Sequence, residues 1–413
     1  MAEKLNLLKN AASYSSRVMD MLPPELKWMG LISYNYWGRI VDAWDNGEPI
    51  NYGALAALPQ IFYAMGIPTV MQEGIMGASA GLPGKPNERY IDIAQENLVA
   101  DHVCTTQKIM IGMALSGDLP PPTTIVHPIQ FCDSSVVTYA ALAEHLGVPQ
   151  FAVDMPPGKD ERAVQYVADE LERMVAFLEE HTGKKLEDEK IREVMEYSNT
   201  AFEYNLKLNE LSKMVPCPLR SPPGMGLLLS AGTPECAEHY RKLYEMGKAV
   251  VESGEGYPAN QRLRVAWFST GTASVPDLND WVHKEFGAFV VNTMIGTNTT
   301  PPTQDISSRR KIMEALAREL RNIPMNRECW GSLEDWLDYA IPTCRDYKLD
   351  ALILTIHIGC KNMWAMIKLA KDKIAEELGI PTLVVEADIA DARTFSGEDQ
   401  KAQISDFFNT IMA

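Results

Sequence analysis

Residues 123–156 read TTIVHPIQFCDSSVVTYAALAEHLGVPQFAVDMP, and residues 352–388 read LILTIHIGCKNMWAMIKLAKDKIAEELGIPTLVVEAD. Each stretch is an apolar run with a histidine near its end, then a cysteine, an amphipathic stretch, a Gly–apolar–Pro stop and a second apolar run. Short apolar runs bounded by turn signals read as buried strands, and the amphipathic stretch reads as a helix that stops at glycine. The unit is strand–Cys–helix–strand, written twice. It places Cys132 and Cys360 each at the carboxyl end of a strand and the amino end of a helix, where free backbone N–H groups and the helix dipole favour a thiolate or an anionic ligand.

Working outward, INYGAL (50–55), LPQIFYAMG (58–66) and IPTVMQE (67–73) continue the alternation on the amino side, followed by a Gly/Pro loop through Pro86 and a helix around 88–115. On the carboxyl side LRVAWFS (263–269), GAFVVNT (287–293), ALILTIH (351–357) and TLVVEAD (382–388) read as strands separated by helices, with SRRKIMEALARELRN (308–322) the clearest helix and 398–412 the last. Strands alternating with helices imply parallel βαβ units. Residues 159–214 are charged and helically periodic, broken at Thr182-Gly183; 215–226 is a Pro-rich loop and 227–252 a further helix. The expected fold class is α/β, with two parallel-sheet (Rossmann- or flavodoxin-like) lobes joined by a helical segment. The boundaries are a helical N-terminal segment at 1–47, a first lobe at 48–158, a helical linker region at 159–260 and a second lobe at 261–413.

With 413 residues the chain exceeds one ordinary core. A formal net charge of −17 argues against a nucleic-acid or anionic-membrane surface, each of which needs a basic patch. The first twenty residues lack an apolar core of signal-peptide length and no run reaches membrane-helix length, so the expected location is cytoplasmic. Seven cysteines, none in CxxC, exclude a zinc ribbon, a thioredoxin-type site and a ferredoxin-type loop. Cysteines that bind metal here must converge from distant segments. GIMGASAGLPG (74–84) has neither GxGxxG nor GxxxxGK[ST] spacing, so no dinucleotide fingerprint or NTPase loop is expected. GTASVPDLNDW (271–281) offers only helix-capping residues.

Ligands of open parallel sheets bind in the crevice outside the carboxyl ends of the strands. If the lobes face one another, Cys132 and Cys360 meet across that cleft, and Cys104 lies on the first lobe, 28 residues before Cys132. A cysteine after a strand is most often a packing residue; its repetition at one place in both phrases is what points to a ligand. His127 and His357, just before the two loops, are placed to close a strand end or to hydrogen-bond a sulfur. Glu73, ending PTVMQE, is placed to point a carboxylate into the crevice as a general base.

VCTTQKIMIGMAL (103–115), FCDSS (131–135) and above all IHIGCKNMW (356–364) with ELGIPTLVVEADIADARTFSGEDQKAQISDFF (377–408) resemble the family of 2-hydroxyacyl-CoA dehydratases and benzoyl-CoA reductases. The segment PQIFYAMGIPTVMQE (59–73) is similar to the start of the first lobe in that family. The closing G-I-P and E-x-D-x-x-D-x-R are the most specific part, and the likeness is to the alpha-type dehydratase subunit.

The resemblance implies two α/β lobes with a 4Fe–4S cluster in the cleft on Cys104, Cys132 and Cys360, the fourth iron position being open to the substrate thioester. It implies a heterodimer with a paralogous second subunit, an acyl-CoA substrate, and a separate ATP-dependent iron–sulfur activator that injects one electron. The resulting ketyl radical anion expels the hydroxyl at C2, acidifying C3–H for a carboxylate at Glu73, and returns the electron; the net reaction turns an (R)-2-hydroxyacyl-CoA into a 2-enoyl-CoA, as in anaerobic amino-acid fermentation. Dehydratase subunits often carry a serine before the Pro of the first motif; GALAALPQ (53–60) offers Ala54, Ala56 and Ala57 instead, leaving Ser33 or Tyr52 as the alternative hydroxyls. That departure keeps open an aromatic acyl-CoA reductase subunit of the benzoyl-CoA type. A non-catalytic electron-relay paralogue, or a two-lobed binding protein, is the reading from a different class.

Overall fold

A computed structural model describes residues 7–54, 58–80, 86–129, 132–158, 160–269, 278–329, 332–395 and 397–413. The chain opens with helix α1 (Leu7–Met21), a 3-10 turn and α2 (Leu31–Asn46), which ends at Gly47 in the left-handed conformation the Asn-Gly pair predicts. The first lobe follows: β1 (Asn51–Gly53), α3 (Pro59–Met65), β2 (Thr69–Met71), α4 (Gln72–Ala80), α5 (Pro86–Glu96), α6 (Thr105–Ser116), β3 (Thr124–Pro128), α7 (Asp133–Leu146) and β4 (Gln150–Val153). Four helices come next: α8 (Glu161–Thr182), α9 (Asp188–Ser212), α10 (Gly226–Ser230) and α11 (Pro234–Ser253). The second lobe holds β5 (Leu263–Ser269), α12 (Leu278–Phe286), β6 (Ala288–Thr293), α13 (Arg309–Asn322), α14 (Pro324–Cys329) and α15 (Leu333–Asp346). It closes with β7 (Ala351–His357), α16 (Lys361–Leu378), β8 (Thr382–Ala387) and α17 (Gly397–Met412).

Both sheets are four-stranded and parallel, in the orders β2-β1-β3-β4 and β6-β5-β7-β8. The second order is the first shifted by four, so β3 and β7 are equivalent, as are the helices α7 and α16 that follow them. In this arrangement the direction of strand addition reverses beside β3 and β7, where open sheets place their ligands. Every residue of β3 and β7 is buried, which explains apolar runs rather than an alternating pattern.

The helical segment carries a stripe at helical spacing. On α8, Val164, Val167, Leu171, Met174 and Leu178 are buried, Asp160 accepts the Ala163 N–H (2.9 Å) to start the helix, and Gly183 ends it in the left-handed conformation. Although α13 lies between β6 and β7 in sequence, it packs on α8 and buries Ile312, Met313, Leu316 and Leu320 in the core shared with the first sheet. Arg309 and Arg310 reinforce that contact through Glu172 (2.9 Å) and Asp169 (2.5 Å) of α8.

Several expectations need correction. Glu73 does not end a strand: β2 stops at Met71, and Glu73 lies in the first turn of α4, where a carboxylate complements the helix dipole. The Gly-rich stretch is therefore helical through Ala80, and residues 81–85 lie outside the described ones, as do 271–277 of the second Gly-containing loop. The helix expected over 88–115 is two, α5 and α6, and that over 227–252 is α10 and α11 separated by Gly232 at φ 95°.

Candidate functional site

Cys104, Cys132 and Cys360 are the N-cap residues of α6, α7 and α16. Each is half-buried, and none caps its helix with its own side chain. Two of these helices belong to the first lobe and one to the second, so the cleft has helix amino ends on both walls. Residues one step further on mark the facing: Lys361 Nζ and Asp133 Oδ2 pair across the cleft at 3.6 Å, an exposed ion pair worth little in stability.

The backbones of the two lobes meet at Gly359. A Cβ there would lie 2.7 Å from the Cα of Cys104 and 3.1 Å from its N, so only glycine permits the second lobe to touch the backbone of the first. The thiols respond to confinement and to one another. Burial pushes the Cys104 thiol up to about 11, with the Cys360 sulfur adding to the rise and N–H groups of Thr106 and Gln107 opposing it. Burial pushes Cys132 up to about 12, aided by Cys104 and Cys360 and opposed by the Ser135 N–H. The N–H groups at the helix amino ends favour the thiolate, but desolvation outweighs them, so both thiols lie above the ordinary range rather than toward the thiolate expected from sequence.

His357, the last residue of β7, accepts the Ile389 N–H on Nδ1 (3.2 Å), which leaves its proton on Nε2. That Nε2–H donates to Sγ of Cys104 (3.2 Å). Burial holds His357 below the usual histidine range, against the opposing charges of Asp388 and Cys360, so the ring stays neutral near pH 7. His127, its counterpart on β3, does not reach a sulfur: Nδ1 donates to the Pro128 carbonyl (3.2 Å) and the ring stacks on Tyr139 at 5.0 Å.

The E-x-D-x-x-D-x-R motif clamps the lobes beside Cys104. Asp388 Oδ1 accepts the Thr105 hydroxyl (2.7 Å) and the N–H groups of Ala390 and Asp391 (both 2.9 Å). Asp391 holds the Arg393 guanidinium (2.9 Å), which reaches on to Asp92 of α5 (2.9 Å). Lys108, buried one turn into α6, donates to the Asp101 carbonyl (2.8 Å) and brings a cation to the same helix as Cys104. Glu73 accepts from the side-chain amide of Gln72 (3.0 Å), and its charge acts on Tyr36 and Tyr139, both of which burial pushes up.

Among the described residues, no three His, Cys, Asp or Glu side chains are close enough to share a single metal ion. Three soft sulfur donors in mutual electrostatic reach, with both nitrogens of His357 already engaged, suit a cluster in which each thiolate takes its own iron rather than a zinc site. The alternative hydroxyls are engaged elsewhere. Ser33 shares a hydrogen bond with Ser15 of α1 (2.9 Å), and buried Tyr52 donates to the Pro120 carbonyl. Ala54 is fully buried, and Ala56 and Ala57 lie outside the described residues. Among residues not singled out from sequence, Thr105, Lys108, Gly359 and the roles of Asp388 and Arg393 depend on contacts between segments far apart in the chain. Only Lys108 left a local trace, as the lone charge in an apolar helix.

Over residues 56–411 the chain matches the family 2-hydroxyglutaryl-CoA dehydratase, D-component, and it belongs to that family. It is 22% identical to the (R)-phenyllactyl-CoA dehydratase alpha subunit of Clostridium sporogenes, over 90% of this chain and 92% of that one. It is 21% identical to the lactoyl-CoA dehydratase subunit alpha of Anaerotignum propionicum, over 85% and 87%. To the (R)-2-hydroxyglutaryl-CoA dehydratase subunit alpha of Acidaminococcus fermentans it is 20% identical over 71% of this chain and 61% of that one. No helix among the described residues is long and apolar enough to cross a membrane.

Proposed function

We propose that this chain is the alpha-type subunit of a 2-hydroxyacyl-CoA dehydratase, a hydro-lyase that takes water from an (R)-2-hydroxyacyl-CoA to give a 2-enoyl-CoA. The observation that carries the reading is the convergence of three cysteines from two lobes at three helix N-caps, with His357 donating to one sulfur. Cys104, Cys132 and Cys360 would hold a 4Fe–4S cluster. When bound, such a cluster supplies one-electron chemistry and a Lewis-acidic iron for an acyl oxygen.

The chain's own residues account for the rest. The His357 Nε2–H stabilises negative charge on the Cys104 sulfur, and Lys108 offsets part of the charge that three thiolates bring into a half-buried site. Asp388 and Arg393 hold the lobes at a fixed spacing, so that the sulfurs keep their positions. The Glu73 carboxylate, in the first turn of α4 and in electrostatic reach of Tyr139 on α7, takes the proton from C3 of the acyl group. The relatives named above are dehydratases made with a subunit termed alpha, which supports this branch over ring reduction and supports a paralogous partner subunit. An ATP-dependent activator would deliver the electron.

The test is anaerobic co-purification with the partner subunit and activator, followed by assay of 2-enoyl-CoA hydration, the direction only a dehydratase runs. Hydration that needs ATP and reductant supports the reading. Metal-free protein without hydration overturns it, and reduction of an aromatic acyl-CoA would move the chain to the reductase branch.

A further inference from the structure

Two hydroxyl groups on α7 are out of place for a packed core. Ser135 and Tyr139 are both fully buried, and among the described residues neither hydroxyl has a hydrogen-bond partner. Buried hydroxyls are normally paired, and each exception calls for an explanation. These two stand four residues apart, on one face of the helix, and continue the line from its N-cap: Cys132, then Ser135 three residues on, then Tyr139 one turn further. The Ser135 N–H bonds the carbonyl of Cys132 (3.1 Å), which fixes the first turn against the cysteine. Stacking on His127 at 5.0 Å, with planes 16° apart, fixes the Tyr139 ring. The phenol lies within electrostatic reach of both Glu73 and Cys132, the two residues that bracket the proposed acyl site. Gln72 and Gln107, one residue before Glu73 and three after Cys104, likewise keep a buried side-chain oxygen without a partner among the described residues. Unpaired polar atoms thus occur on each of the helices α4, α6 and α7 that carry Glu73, Cys104 and Cys132, and such buried atoms are ones a polar ligand would satisfy.

We propose that Ser135 and Tyr139 are the hydrogen-bond donors that grip the oxygen atoms of the acyl group, the carbonyl and hydroxyl oxygens of a 2-hydroxyacyl thioester, between Cys132 and Glu73. This rests on the acyl-CoA reading above and adds the residues that position the substrate. It also supplies hydroxyls from α7 where the segment before Pro59 offers alanines. Burial keeps the Tyr139 phenol protonated, so it remains a donor through the working pH range. Its role is positioning: it holds an oxygen still while the proton leaves for Glu73.

The test uses Tyr139→Phe and Ser135→Ala in the anaerobic complex with the partner subunit. The measurements are iron content, the thermal midpoint without ligand, and equilibrium binding of (R)-lactoyl-CoA, (R)-phenyllactyl-CoA and free CoA. Expected are wild-type iron, a ligand-free midpoint equal to or above wild type because an unpaired polar group has gone, and roughly tenfold weaker acyl-CoA binding with free CoA unchanged, the effect of one lost hydrogen bond. Variants that bind both acyl-CoAs like the wild type overturn the proposal alone. A lowered ligand-free midpoint, or an equal loss for free CoA, assigns the hydroxyls a structural role and also overturns it. A wild-type complex that binds neither acyl-CoA overturns the functional reading and this proposal with it.

Discussion

Gly359→Ala is the smallest change that should dismantle the site. The added methyl carbon would sit 2.7 Å from the Cα of Cys104, 3.0 Å from Nε2 of His357 and 3.1 Å from the Cys104 N. Carbon atoms rest comfortably at about 3.5 Å, so the backbones must separate by about 0.8 Å. Either the loop before α16 recoils and takes Cys360 with it, or the amino end of α6 yields and takes Cys104. Both routes change the spacing of the sulfurs by more than the roughly 0.5 Å that a preorganised ligand set tolerates. The same methyl group displaces the His357 ring from its sulfur contact. Overpacking of this kind costs about 1–3 kcal/mol. The assay is iron and sulfide per chain after anaerobic purification, together with denaturant unfolding. Gly77→Ala is the control: it makes the same chemical change on an exposed helical position with nothing within 4 Å, and should keep its iron and gain up to about 1 kcal/mol. Gly359→Ala protein with wild-type iron and an unchanged midpoint would show that the lobes do not touch at the cysteine seat.

Three further outcomes are expected. Cys104→Ser, Cys132→Ser and Cys360→Ser should each lose most of the iron, whereas serine at buried Cys217, Cys236 or Cys344 should leave iron unchanged; the readout is iron per chain. Asp388→Ala strands the buried Thr105 hydroxyl and two backbone N–H groups, and should cost about 2–4 kcal/mol by urea unfolding while loosening the cleft to proteolysis. Glu319, buried on α13 with only the Gln60 amide (2.7 Å) to favour its charge, has its carboxyl pushed up to about 7. Its folded value lies above its unfolded one, so the folded state holds this proton more tightly than the unfolded chain does, and stability should fall by about 3 kcal/mol as pH rises from about 4.5 to about 7. Glu319→Gln should flatten that part of the profile and stabilise the protein at pH 8; a profile identical to wild type would show that Glu319 is not the group involved.

The sheets were legible because both faces of the central strands β3 and β7 are covered, which leaves uninterrupted apolar runs. Strands at 263–269 and 351–357 coincide with β5 and β7 residue for residue. The repeated Cys phrase pointed to two related lobes; that their sheets share one strand order is seen only in the structure. The break between α5 and α6 left no mark, because Leu98 makes the turn at φ 66° where glycine would have advertised it. The break before α11 did leave one, in Gly232, Thr233 and Pro234, whose turn chemistry the helical periodicity on either side outweighed. Periodicity also shows that α13 has an apolar stripe without showing that the first sheet's core receives it. At the site, a cysteine after a strand could be read locally. The clamp at Asp388, the contact at Gly359 and the sulfur bond of His357 depend on which segments meet, and no local pattern encodes that. His127 and His357 look alike in sequence, yet only the second faces a sulfur.

The claim on which the account turns is that three cysteines from two lobes seat a cluster with one iron left for substrate. A Mössbauer spectrum of the iron-57-labelled, anaerobically purified complex, recorded with and without a 2-hydroxyacyl-CoA, tests it most directly. The expected spectrum is a 4Fe–4S signature on this chain in which the ligation of one iron changes when acyl-CoA is added, and which Cys360→Ser abolishes. A chain that carries no iron, or a cluster whose four irons are all indifferent to acyl-CoA, would contradict it.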